Sequence, residues 1–221
     1  MEAMLQARAD EQQKIEDLRV AVLQKEREME DDKTKGVPSS MYVNNCRANE
    51  AMVSPEAVKM INHILENDSP EALCEALEIF VALLRNKPRS TPADVELFFQ
   101  DAAKLVSKMS KTKTTAIDLK IVEDSLEKLD RLSQAFGVDQ EDQVYDLSYF
   151  ECFVQWSVNY CLAAQIDLRQ RTMQEEIDAM RLNIERAELA VQSYGEIQRQ
   201  IESNNMEHYY QDEIENLKRR V

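Results

Sequence analysis

Every proline of the chain lies between Pro38 and Pro92, so the first 35 residues and everything from Ala93 onward contain none. Proline lacks a backbone donor and clashes with the preceding helical turn, so long proline-free spans are free to run as uninterrupted helices. The only glycines, Gly36, Gly137 and Gly195, stand singly. This distribution divides the chain into two helical arms and a punctuated middle. With aromatics at 6% and so few turn residues, it argues against a sandwich or barrel.

Residues 1–35 read as a coiled-coil helix. Met1, Met4, Ile15, Leu18, Val22 and Met29 fall on one seam of three- and four-residue steps, with Arg8, Glu11 and Lys25 at its remaining positions. The positions between are mostly charged, with Leu5, Val20 and Leu23 as apolar exceptions. A stripe this narrow needs a second helix to cover it. Residues 36–53 are rich in Gly, Pro, Ser and Asn without a sustained period and read as a linker that docks, at most, through Met41, Tyr42 and Val43.

Three helix starts follow, at Ser54-Pro55, Ser69-Pro70 and Thr91-Pro92, each pairing an N-cap hydroxyl with proline at the first helical position. The third helix is read through Val95, Phe98, Phe99, Ala102, Val106 and Met109 as one element. A fourth is expected from a capping box of Thr115 and Asp118 to a left-handed Gly137. From Gln143 to Val221 the pattern permits one continuous helix. Its first part, with Phe150, Phe153, Trp156 and Tyr160, is apolar on several sides and belongs inside a bundle. Beyond it the stripe narrows to Met173, Ile177, Met180, Ile184, Ala187, Val191, Tyr194 and Ile201, with Gln198 at one seam position. Asn204-Asn205 then shifts the register, as a stutter or a local break, before Tyr210, Ile214, Leu217 and Val221 resume it.

The expected fold is therefore all-α, a bundle of about five helices over 54–165 carrying N- and C-terminal coiled-coil arms, 1–35 and 166–221. The arms could pair with each other antiparallel or each with a second copy.

Charge restricts the partners. The net charge of −15 repels phosphate backbones and anionic lipid, which disfavours nucleic acid and membrane surfaces. Asp139, Glu141, Asp142, Asp146 and Glu151 form a stretch free of Lys and Arg. Cys46, Cys74, Cys152 and Cys161 contain no CxxC spacing, which points to a reducing, cytoplasmic compartment. No signal peptide or apolar run long enough to span a bilayer is evident.

Few residues suggest chemistry. His63 and His208 have no second ligand at metal spacing on their own helices, and nothing local supports Cys46 and His63 as a nucleophile–base pair. The paired carboxylates, such as Glu30-Asp31-Asp32, lie in solvated runs. No glycine-rich phosphate cradle exists. No cofactor, metal or small-molecule substrate is expected. Lys104, Lys108, Lys111 and Lys113 read either as a docking patch for an acidic partner or as cations offsetting the C-terminal dipole of helix 92–109. The aromatic helix reads either as a recognition groove or as bundle core, the latter favoured. Ala57-Val58, Ile61-Asn62, Leu65, Asp68, Pro70, Leu73 and Ala76-Leu77 resemble the helix–turn–helix of the short repeats in IQGAP-type scaffold proteins. That likeness ends after Leu77, with no IQ motif or second repeat, and assigns no family.

These features lead to the expectation of a non-enzymatic scaffold subunit. It would bind protein partners, or itself, through the seams Ile15, Leu18, Val22 and Met173, Ile177, Met180, Ile184, Val191, Ile201. The bundle would present a recognition face, in an assembly of cytoskeletal, ciliary or chromosome-segregation type. The alternative is a peripheral membrane-shaping dimer, which the acidic charge opposes.

Overall fold

The computed structural model describes residues 2–66, 71–136 and 148–218, and every regular element among them is helical. In order these are α1 (Glu2–Lys35), α2 (Ser39–Met52), α3 (Pro55–Glu66), α4 (Glu71–Arg85), α5 (Pro92–Phe98), α6 (Ala102–Lys111), a 3-10 turn (Thr114–Ala116), α7 (Leu119–Phe136) and α8 (Ser148–Lys218). They divide into two compact units. The central unit is Lys35–Arg171; the terminal unit is Met1–Thr34 with Thr172–Val221. The 71 residues of α8 contribute to both.

The core of the central unit is built around α4 and the first turns of α8. Leu77, Phe80, Val81 and Leu83 are fully buried on α4, and Phe153, Trp156, Cys161 and Ala164 are buried on α8. Phe80 holds the aromatic cluster together. Its ring lies 6.0 Å from Phe99, 5.2 Å from Phe153 and 5.4 Å from Trp156, the last two edge to face. Such pairs add to area burial because ring edges and faces carry opposite partial charge. On α8 the buried positions run almost all round, Cys152 and Cys161 included, as the sequence pattern requires of a helix surrounded by neighbours.

Local chemistry fixes the helix starts. Ser54 Oγ accepts from Ala57 N–H at 3.1 Å, and Thr91 with Asp94 forms a complete capping box ahead of Pro92. The start at Ser69-Pro70 and the helix end at Gly137 lie outside the described residues.

Three expectations are corrected. The stretch 36–53 is no linker from Ser39 onward: α2 occupies it, with Cys46 buried. Its inner face is held by polar groups. Asn45 Nδ2 donates to Asn159 Oδ1 at 3.1 Å, and Glu50 Oε1 accepts from Trp156 Nε1 at 3.2 Å. Apolar periodicity could not reveal that face. The helix expected over 92–109 is two helices, because the Asp101 side chain accepts from Lys104 N–H at 3.1 Å and starts α6 afresh. The apolar face of α6 is accordingly Leu105 and Met109, with Val106 only half-buried. Lastly, Thr115 does not cap α7. It lies in the 3-10 turn, and Asp118 Oδ1 accepts from Lys120 N–H at 2.8 Å.

Asp94 and Asp101 have carboxyls held below the usual carboxylate range, first by the N–H groups of Thr91 and Lys104 respectively. A depressed carboxyl stabilises the fold at neutral pH and loses that contribution as acid protonates it. Both caps therefore weaken only at low pH.

Asn86 ends α4 and positions α7. Its φ of 52° is the one left-handed non-glycine backbone among the described residues. Asn86 N–H reaches Leu83 O at 3.2 Å and Lys87 N–H reaches Ala82 O at 3.0 Å, the pattern of a Schellman motif. The side chain then donates to Ala116 O at 2.9 Å and accepts from Asp118 N–H at 3.3 Å. Replacement tests both roles. Asn86→Ala loses the side-chain bonds and strains the backbone, and is expected to cost about 2–3 kcal/mol in urea unfolding. Asn86→Gly loses only the bonds and should cost roughly half as much.

Candidate functional site

In the terminal unit, the sequence seams are covered by each other. Along α1, Arg8, Glu11, Ile15, Leu18, Val22, Lys25 and Met29 are all buried or half-buried. Along α8 the same holds for Met173, Ile177, Met180, Ile184, Ala187, Val191, Tyr194, Gln198 and Ile201. Ile177 and Ala187 are the deepest. The side chains of Met1, Met4, Tyr210, Ile214, Leu217 and Val221 lie outside the described residues. Helix α8 runs unbroken through Asn204-Asn205, so there is no local break there.

Polar contacts give the direction of pairing. Arg8 Nη1 donates to Gln198 Oε1 at 3.2 Å, Arg19 pairs with Glu188 at 2.9 Å, and Arg181 pairs with Glu26 at 2.6 Å. Lys25 pairs with Glu176, which holds its ammonium above the ordinary lysine range. From Arg8–Gln198 through Arg19–Glu188 to Glu26–Arg181 the α8 number falls as the α1 number rises, so the helices run antiparallel within one chain. The outer sides are less covered. Val20 and Leu23 on α1 are 64% and 54% exposed, and Leu182 and Leu189 on α8 are 46% and 62% exposed.

In the central unit, the lysines do not act as one group. Lys104, Lys108 and Lys111 follow steps of four and three, lie on one face of α6 and are exposed. Because α6 begins at Ala102, Lys104 stands in its first turn, 3.7 Å from Asp101. It therefore cannot offset a C-terminal dipole; only Lys108 and Lys111 occupy the last turn. Lys113 lies beyond the helix, and its carbonyl accepts from Tyr160 Oη at 3.0 Å.

Lys113 also borders a hollow of about 590 Å³ between α2, the end of α6 and α8, shared with Arg47, Cys46 and Trp156. Glu50 accepts from Trp156 Nε1 and, at 2.8 Å, from Ser110 Oγ, while Trp156 stacks on Tyr160 at 4.9 Å. Cys46 Sγ lies 3.6 Å from Trp156 O, and burial first, then Glu50, pushes its thiol up to about 12. Burial likewise pushes Cys152 up to about 11, and Cys161 is raised for the same reason. These thiols are the reverse of activated nucleophiles. His63 and His208 are exposed. Among the described residues no group of three or more His, Cys, Asp or Glu could hold a metal ion, and no helix is long and apolar enough to cross a membrane.

The aromatic helix is core: Phe150, Phe153, Trp156 and Tyr160 are buried, while Tyr145, most of the acidic flank and the side chain of Tyr149 lie outside the described residues. Sequence reasoning missed Asn45, Glu50 and Asn86, whose contacts are polar and distant along the chain. No protein-family model, curated protein or solved structure matches the chain.

Two tests follow from this geometry. Ile177→Asp places a charge in a fully buried seam position and should lower the stability of the paired helices by about 3 kcal/mol or more. Light scattering should show no change in mass, since the covering helix belongs to the same chain. In the native protein at neutral pH, a maleimide should label half-buried Cys74 first and reach Cys46, Cys152 and Cys161 only on unfolding.

Proposed function

We propose that the chain is a non-enzymatic scaffold subunit. Its arms form an antiparallel coiled coil, and its helical bundle presents a recognition face to other proteins. The observation that supports this reading is the pairing of α1 with α8. The seam is already closed within the chain, yet Val20, Leu23, Leu182 and Leu189 remain exposed on the outer sides. Covering each would yield about 1 kcal/mol, a contribution that a neighbouring helix could collect. The exposed lysines of α6 offer a second, electrostatic surface, suited to an acidic partner. On this view the function is positioning: the helices carry two kinds of surface, and partners assemble on them.

Crosslinking mass spectrometry in native extract tests the reading, because Lys104, Lys108, Lys111 and Lys113 are natural reporters on the central unit and Lys14 and Lys25 on α1. Interchain crosslinks from either group, lost in the Leu182→Asp/Leu189→Asp variant or in one with Lys108 and Lys111 changed to Glu, are the expected result. Crosslinks only within the chain, together with a mass of 25.6 kDa at every concentration, would remove the scaffold reading.

A further inference from the structure

The outer side of α8 carries a short pattern that is complementary to itself. Leu182, Glu185, Arg186 and Leu189 follow steps of three, one and three, so with 3.6 residues per turn they share an arc of about 100°. The seam residues Ile177, Ile184, Ala187 and Val191 face the opposite way. All four outer residues are exposed, the leucines by 46% and 62%. Read from either end, the pattern is leucine, a charge, a charge, leucine, and reversal exchanges only the sign of the central pair.

The charges beside the seam are engaged within the chain, Arg19 with Glu188 and Arg181 with Glu26. Glu185 and Arg186 differ: neither side chain makes an ion pair or hydrogen bond among the described residues. Two exposed leucines therefore bracket one anion and one cation that the chain itself leaves unmatched. A second copy matches all four. Laid antiparallel about a two-fold axis between Glu185 and Arg186, it sets Leu182 against the partner's Leu189 and Glu185 against the partner's Arg186. The symmetry repeats each contact, so two apolar layers enclose two ion pairs. A two-fold contact demands a surface complementary to itself, which a single charged or apolar patch is not. An unrelated protein would need this alternation independently; a second copy carries it by construction. Helix α1 covers the seam on the far side of each α8, so the contact leaves the intrachain coiled coil in place.

We propose that the outer side of α8 is a self-association face, an antiparallel two-fold contact centred between Glu185 and Arg186. The proposal rests on the reading of the arms as surfaces for assembly and names a second copy of this chain as the partner. The contact spans only a few helical turns, and interfaces so small are weak, so pairing is expected at roughly 10–100 µM chain.

Sedimentation equilibrium of the full chain from roughly 5 to 500 µM tests it, in about 0.15 M salt, where screening confines the repulsion of the net charge of −15 to about 8 Å. The mass should rise from 25.6 kDa toward twice that value. Leu182→Ala/Leu189→Ala should weaken pairing about tenfold or more with helix content unchanged, since alanine is a strong helix former. Glu185→Arg and Arg186→Glu, each alone, set like charges opposite one another and should each weaken pairing about tenfold. Mixed in equal amounts, these two variants should pair with each other about as well as the native chain, because each supplies the charge the other lacks. The double exchange within one chain should also pair normally. A role confined to the fold of one chain would give no rescue on mixing. The mass of one chain throughout, pairing untouched by the leucine changes, or a mixture no better than its components would each overturn the proposal. If a chain of single mass still forms interchain crosslinks in native extract, self-association fails and the scaffold reading stands with a different partner.

Discussion

A helix is stable in water only while something covers its apolar face, and α8 meets that requirement in two different ways. In its first turns it is apolar nearly all round, and the helices of the central unit bury most of its sides. In the terminal unit its apolar surface has narrowed to a seam that one helix, α1, covers. The change from broad to narrow stripe occurs within one uninterrupted helix, so the backbone does not mark it. Composition alone does. Beyond Leu168, side chains such as Arg169, Gln170 and Arg171 replace the aromatic and small apolar residues that pack against α4. The absence of proline is what lets a single helix take both roles.

Apolar burial does not by itself specify which helix neighbours which; in the central unit polar side-chain bonds between elements add that information. Asn86 joins the end of α4 to the start of α7 through two side-chain bonds. Glu50 joins α2 to both α6 and α8. Thr114 Oγ1 donates to Asp167, and Arg171 Nη1 donates to Thr115 O at 3.1 Å, tying the 3-10 turn to α8. Each bond adds modestly when made, and the partly buried ones, Trp156 with Glu50 and Thr114 with Asp167, would also leave a costly unpaired group if the helices were arranged otherwise. Those two discriminate between packings more than they stabilise any one of them.

The same distinction explains what could be read from the sequence. Helix class, the hydroxyl–proline starts at Ser54 and Thr91, and the core role of Phe153 and Trp156 follow from periodicity and local chemistry, both visible along the chain. The seams are equally legible as narrow stripes, but what covers them is not, since α1 and α8 could have met another chain. The missed features share one property. Helix α2 has a polar inner face, so the period of apolar residues is silent there. The break between α5 and α6 depends on Asp101 capping, a choice that an aspartate in a helical run does not announce. The lysine stripe is divided differently for the same reason: moving the helix start to Ala102 carries Lys104 from the C-terminal half of one helix to the first turn of another.

The pairing of α1 and α8 carries its own register. Its seam is not uniformly apolar: Arg8 and Gln198 occupy core positions and bond to each other at 3.2 Å. Polar groups at such positions reduce stability and in exchange specify alignment. Sliding α8 by one heptad in one direction would move Arg8 opposite Val191, an apolar seam residue unable to accept its N–H groups; in the other direction it would meet Asn205. Either slip would part Arg19 from Glu188 and Arg181 from Glu26. A guanidinium left half-buried without its acceptor is expensive, whereas the exposed pairs at the flanks contribute little each. The seam polar pair therefore opposes one slip, and the flanking charges oppose both. Ile15 and Val22, among the most buried residues of α1, supply apolar burial within that alignment. This also accounts for the weak apolar pattern before Ile15, where the residues that specify register stand in place of those that drive association.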